Sequence, residues 1–161
     1  MVRKTLLVLA VAGALSPAAA SQLITLSQTN LDIAEAAFRH LFGDTTKPGP
    51  ARCIALLGPD GSHQSSDPTP EFLARFADIQ PPVKGPSGCG KAVDGIGVAD
   101  KETGKFAMYY SVGFPKCASE TECDVEASYF AAPTAAAAWT YHMKKRDGKW
   151  VVTGEEMKWI S

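Results

Sequence analysis

The sequence has no apolar stretch long enough to cross a membrane. Its one sustained greasy run, residues 6–15, falls short of the roughly 20 residues that a bilayer core requires. It has little histidine, three residues in 161, and no excess of positive charge, with 16 Lys and Arg against 17 Asp and Glu. That balance gives no net pull toward nucleic acid or an anionic membrane. No Cys-x-x-Cys unit is present and no histidine stands beside any of the four cysteines, which argues against a zinc site. No serine lies in a Gly-x-Ser-x-Gly elbow. From the residues alone, no catalytic set, no cofactor motif and no metal ligand set assembles.

The N-terminus is the most readable segment. Arg3 and Lys4 form a basic start, the apolar run follows, and Ala18 and Ala20 stand as the small residues of an Ala-x-Ala cleavage site. Charge, apolar core and small-residue exit in that order predict a secretory signal peptide over residues 1–20. No cysteine follows the apolar run, so a lipid-anchored mature N-terminus is not expected. The remaining residues, 21–161, carry a net charge of −3 and make one domain, long enough to bury a core. The expected location is periplasmic or extracellular, with no membrane insertion once the signal is removed.

Export gives the cysteines a meaning. Cys53, Cys89, Cys117 and Cys123 are an even set in a chain bound for an oxidising compartment, which predicts two disulfides. Three pairings are possible. Cys117 and Cys123 flank one short loop, which favours their pairing and leaves Cys53 for Cys89. The short bridge is expected as a clip at a hairpin end rather than a pair within a strand ladder.

Hydrophobic periodicity predicts an α+β domain: an N-terminal helix and a second short helix packed on a curved antiparallel β-meander of four to five strands. The first helix is expected over residues 30–42, capped by Thr29 or Asn30 and stopped by Gly43. A short strand is expected over residues 52–57 and a loop over 58–68. Thr69 and Pro70 then open the second helix, which buries Phe72, Leu73 and Phe76. A strand is expected over residues 93–98 and a turn over 100–104. From Phe106 the alternation puts Met108, Tyr110, Val112 and Phe114 on one face, and Val125, Ala127 and Tyr129 do the same on the next strand. Asp147-Gly148 is a two-residue hairpin signal that sets Lys145 opposite Trp150 and Met143 opposite Val152. One bulge at residues 154–156 is expected to set Met157 opposite Trp139 and Trp159 opposite Ala137. Ala135 to Ala138 read as strand despite their helix propensity.

Gly85-Pro86-Ser87-Gly88-Cys89-Gly90-Lys91 fits the spacing of a phosphate-binding loop. Such a loop needs a preceding strand, a following helix and a hydroxyl after its lysine. Here Gln80-Pro81-Pro82 precedes, Ala92 replaces the hydroxyl, and Gly95 and Gly97 follow among β-branched residues. Nucleotide binding is not expected. His40 near the end of the first helix reads as a complement to the helix dipole, His142 shares a solvated face with Thr140 and Lys144, and His63 lies in a loop. Glu120, Glu122, Asp124 and Glu126 read as a solvated, edge-protecting charge run, and Lys144, Lys145, Arg146 and Lys149 as a basic turn.

The order of elements, with Tyr141, Asp147-Gly148-Lys149-Trp150-Val151-Val152 and Trp159-Ile160-Ser161 closing the chain, resembles the cystatin-like superfamily. That group includes nuclear transport factor 2-like domains and small secreted bacterial proteins of this shape. The resemblance covers residues 30–161 and implies a helix-and-sheet cone that often encloses a pocket, with Tyr110, Trp139 and Tyr141 as candidate lining. Members include isomerases, dehydratases and non-catalytic binding domains. An isomerase of this kind needs an inward carboxylate beside a tyrosine, and Asp124 and Glu126 alternate away from the apolar set. The expected function is therefore a secreted, non-enzymatic binding or interaction domain for a small molecule or protein. The alternative is a small-molecule isomerase or hydrolase working in the cone.

Overall fold

The computed structural model describes residues 27–47, 49–62, 67–93 and 95–161. The expected signal peptide and His63 lie outside the described residues. The elements run α1 (Gln28–Phe42), β1 (Ala51–Leu56), α2 (Pro70–Ala74), a 3-10 turn (Pro86–Gly88), β2 (Cys89–Lys91), β3 (Val98–Asp100), β4 (Phe106–Val112), β5 (Lys116–Cys117), β6 (Glu122–Ala132), β7 (Ala135–Arg146) and β8 (Lys149–Ile160). The α+β class is as expected. The strand count is larger: the described residues form one eight-stranded sheet, mostly antiparallel, with the path β2-β3-β4-β6-β7-β8 and with β1 on β4 and β5 on β6.

The main departure from a meander is β1. It lies parallel to β4, from Ala51 beside Ala107 to Leu56 beside Val112. All six of its residues are buried. A strand covered on both faces loses the polar alternation that marks a half-exposed one. Its other edge bridges Lys84, whose N–H donates to the Arg52 carbonyl while its carbonyl accepts from the Ile54 N–H, both at 2.9 Å.

α1 begins two residues before its expected start, because the Ser27 hydroxyl accepts the Asn30 N–H at 3.2 Å and makes Ser27 the cap. Gly43 ends it at φ 65°, a left-handed conformation that favours glycine. Ile33, Ala34, Ala37, Phe38 and Phe42 are its buried stripe. They pack on Phe72, Phe76 and Ile79 from the α2 segment and on Tyr110, Val112, Val125, Tyr141, Met143 and Trp150 from the sheet. The sheet thus has an inner face under α1 and an outer face. As expected, the Thr69 hydroxyl caps α2 and Pro70 opens it.

Residues 93–98 do not form the expected strand. Val93 is fully exposed in a turn whose closing bonds run from Ala92 N–H to the Gly97 carbonyl and from Gly95 N–H to the Ala92 carbonyl, both 2.8 Å. The two glycines supply turn chemistry that outweighs the β-branched Val93 and Ile96 beside them. The strands lie on either side of this turn, with Cys89 paired to Asp100 and Lys91 to Val98. Asp100 then organises the next turn. Its Oδ1 accepts the N–H groups of Glu102 (2.8 Å) and Thr103 (3.1 Å), and its Oδ2 accepts from Lys84 Nζ (2.8 Å).

Asp100 is buried at 3 % exposure. The Lys84 ammonium holds its carboxyl below the usual range. A carboxyl depressed in the folded state stabilises it above the unfolded-state value, about 3.9 for Asp, and that contribution disappears as pH falls through the lower folded value. Stability measured by urea unfolding from pH 6 down to pH 2 should therefore fall in acid. In Asp100→Asn it should be lower at pH 6 and lose less on acidification; an equally steep acid limb in both proteins would place the titration elsewhere.

The final hairpin turns at Asp147 (φ 50°) and Gly148 (φ 78°), as its sequence predicts. Lys145 faces Trp150, Met143 faces Val152 and Trp139 faces Met157, all as expected. The end of β8 differs. Two register shifts occur, leaving Thr153 and Lys158 as the extra residues, so Trp159 pairs with Ala138 and Ile160 with Ala137. The second shift keeps Lys158 in solvent, where it pairs with Glu156 at 3.2 Å. It also moves Trp159 from the inner to the outer face.

Candidate binding site

Both disulfides form as expected, Cys53–Cys89 and Cys117–Cys123. Such bridges persist in oxidising compartments. The short one is not a clip outside the ladder: Cys117 and Cys123 are directly opposite in the β5–β6 register, because two residues of β5 extend the pairing. The long one lies on the outer face. There Cys53 and Cys89 are buried with Ala51, Val98 and Ala107 in a second, smaller core, against which Tyr109 packs. No helix among the described residues is long and apolar enough to cross a membrane.

The segment with phosphate-loop spacing is the strap this disulfide pins. It passes from a 3-10 turn into β2, with no helix after it. The Ser87 N–H, a group that a phosphate would use, donates to Asp67 Oδ1 at 2.8 Å, and the Ser87 hydroxyl bonds the other carboxylate oxygen. A Cβ at Gly85 would fall 2.2 Å from the Asp67 carboxyl carbon. That glycine admits the protein's own carboxylate, which takes the place of an anionic ligand.

Two concavities among the described residues flank the sheet. One, of about 750 Å3, runs between the polar side of α1 and residues 148–152. Its charged walls are largely committed: Arg75 binds Asp32 (2.9 Å) and Glu35 (3.2 Å), Arg39 binds Glu35 and Asp78 (both 3.0 Å), and His40 Nε2 binds Glu155 (3.2 Å). The groove is an ion-paired seam between helix and sheet.

The second, of about 480 Å3, is a trough on the outer face. Its floor is a row of small residues brought together across the sheet. Ala55 of β1 faces Ser111 of β4, Ser111 faces Ser128 of β6, Ser128 faces Ala138 of β7, and Ala138 faces Trp159 of β8. At ordinary strand spacing the row spans roughly 19 Å. Trp159 closes one end and Pro86 of the strap lines the trough as well. Tyr109 and Phe130, directly opposite one another, line the adjacent row. Tyr129 completes the lining, and no charged residue contributes to it. Phe130 and Trp159 remain 42 % and 50 % exposed. Among the described residues, no side chain or backbone group bonds the hydroxyls of Tyr109, Ser111 or Ser128. Burial pushes the Tyr109 phenol up, so it is a neutral hydrogen-bonding group at physiological pH.

The three residues expected to line a cone are elsewhere. Tyr110 is buried with its ring 4.9 Å from that of Phe42, and its hydroxyl donates to Met108 Sδ at 3.3 Å. Tyr141 is buried, with the His40 ring edge-on at 4.9 Å and Trp139 stacked at 6.4 Å. Trp139 is half-buried against Tyr129. All three belong to the inner face, and none lines the trough or the groove. Burial raises the phenols of Tyr110 and Tyr141. Glu155 faces Tyr141 in register, but its carboxylate bonds His40.

Glu120, Glu122, Asp124 and Glu126 stay exposed to solvent, as expected, and three of them form ion pairs. Glu122 pairs with Lys144 (2.8 Å), Asp124 with His142 (2.7 Å) and Glu126 with Lys116 (3.2 Å). His142 therefore has a carboxylate partner rather than water alone. Arg52 had no sequence signal. Its guanidinium is buried over the Phe42 ring at 5.4 Å, with the Pro50 and Gln80 carbonyls at 3.4 and 3.5 Å.

No protein family, curated protein or solved structure matches the chain.

Proposed function

We propose that this chain is an exported, non-catalytic binding domain with a cystatin-like helix-on-sheet frame, and that it holds a small molecule in the outer-face trough. The observation that carries the reading is the trough itself, a concave site free of charged groups, walled by aromatic rings and floored by uncommitted serine hydroxyls. Ligand sites commonly join apolar walls to a few convergent polar groups. The two disulfides support an oxidising, periplasmic or extracellular setting. Against the isomerase or hydrolase alternative stands the inner face. Its aromatic interior is packed, and the carboxylate nearest Tyr141 in register is bonded to His40.

Native mass spectrometry of the protein isolated from its own compartment tests the reading. A small molecule should co-purify with the oxidised chain and be lost from Trp159→Ala. A protein partner retained by that variant, or a co-purified compound that the protein converts to product, would replace the proposal.

A further inference from the structure

The trough also restricts the chemistry of its occupant. We infer that it takes an uncharged, flat, ring-based molecule bearing one hydroxyl or carbonyl, a phenol or ring alcohol, with that group set on the Ser111–Ser128 pair. The inference rests on the proposed seat of binding.

Charge is excluded first. A carboxylate or ammonium entering the trough would shed water and meet no opposite charge, which is unfavourable for any ion. The lining contains none to offer. Flatness follows from the floor. Ala55, Ser111 and Ser128 leave a low surface across adjacent strands, and bulk stands at its borders in Pro86, Tyr109, Phe130 and Trp159. A thin ring system can lie on the small residues while meeting aromatic faces and edges at the sides.

The polar requirement is equally specific. Ser111 and Ser128 are directly opposite in the β4–β6 register, which puts their Cβ atoms about 5 Å apart. Each hydroxyl can donate and accept. One ligand hydroxyl between them can accept from one serine and donate to the other; a carbonyl can accept from both. A sugar fits less well. Its many hydroxyls would compete for two serines and one tyrosine, and each left unpaired in the trough costs free energy.

The test uses 2-naphthol as the probe, titrated into the full oxidised chain by calorimetry and by amide and indole NMR shifts. 2-Naphthoate and methyl glucoside serve as the charged and polyol comparisons. 2-Naphthol should bind at least tenfold tighter than either, with shifts at Ser111, Ser128 and the Trp159 indole. Ser128→Ala should weaken 2-naphthol about tenfold and leave 2-methylnaphthalene, which lacks the hydroxyl, unchanged. Trp159→Ala, at a half-exposed position, should weaken both ring compounds with its unfolding midpoint preserved. Tighter binding of 2-naphthoate or methyl glucoside with the same trough shifts would overturn the ligand class and leave the seat standing. Shifts confined to His40 and Lys149, or no binding by any probe, would overturn the seat and the class together.

Discussion

Replacing Cys53 and Cys89 by alanine should cost the folded protein about 4 kcal/mol, from the loop-closure entropy of a 36-residue separation. For a domain of this size that corresponds to a fall of roughly 10–15 °C in the unfolding midpoint. The bridge joins a strand buried on both faces to the strap carrying Pro86. Both half-cystines are buried, so truncation also leaves unfilled space. The matching Cys117→Ala/Cys123→Ala pair closes a separation of only six residues, and the same entropy gives about 2 kcal/mol. Thermal and urea unfolding of the two double variants should therefore rank them clearly. Binding should separate them further, because only the Cys53–Cys89 bridge holds a wall of the trough. Equal losses from the two variants would mean that the strap stays in place without its covalent tie.

Phe38→Ala should be comparably severe, at about 4 kcal/mol. Phe38 is fully buried, and its ring lies 6.0 Å from Phe42, 6.4 Å from Phe72 and 6.1 Å from Phe76. It is where α1 meets the α2 segment. Removing the ring opens a cavity between two elements that are themselves anchored elsewhere, α1 on the sheet and α2 by its cap. Collapse to fill that cavity is therefore restricted. Phe38→Leu keeps most of the volume and should cost less than about 1.5 kcal/mol. Urea midpoints of the two variants would show this; similar losses would point to an aromatic contact rather than volume as the source.

The contrast between what could and could not be read in the chain follows from range. Local signals performed well: the Asp147-Gly148 turn, the alternation through β6 and β7, and the cap at Thr69 all depend on neighbours within a few residues. The pairing of β1 is not legible because its parallel partner lies 56 positions further along the chain and its burial has no period. β2 and β3 were hidden by glycine-rich turn chemistry around three-residue strands. The trough was invisible for a related reason. Its lining comes from four strands and the strap, and apart from Tyr129 the strand residues occupy the phase that faces away from the main core. A signal did exist in Tyr109 and Phe130, large aromatic side chains standing off-phase from Met108, Tyr110, Val125, Ala127 and Tyr129. An aromatic in the polar phase of a strand suggests something for the far face to hold.

The two register shifts in β8 carry a consequence for how this surface is inherited. Trp159 faces Ala138, and so reaches the trough, only because Lys158 is left out of the ladder. Were Lys158 taken into the ladder opposite Ala138, Trp159 would fall opposite Ala137 on the inner side with no residue changed, whereas deleting the lysine would keep Trp159 opposite Ala138. The wall is thus set by register rather than by residue type. Among related chains, whether the residue between Met157 and Trp159 is bulged out or paired would say more about whether the site survives than any substitution nearby.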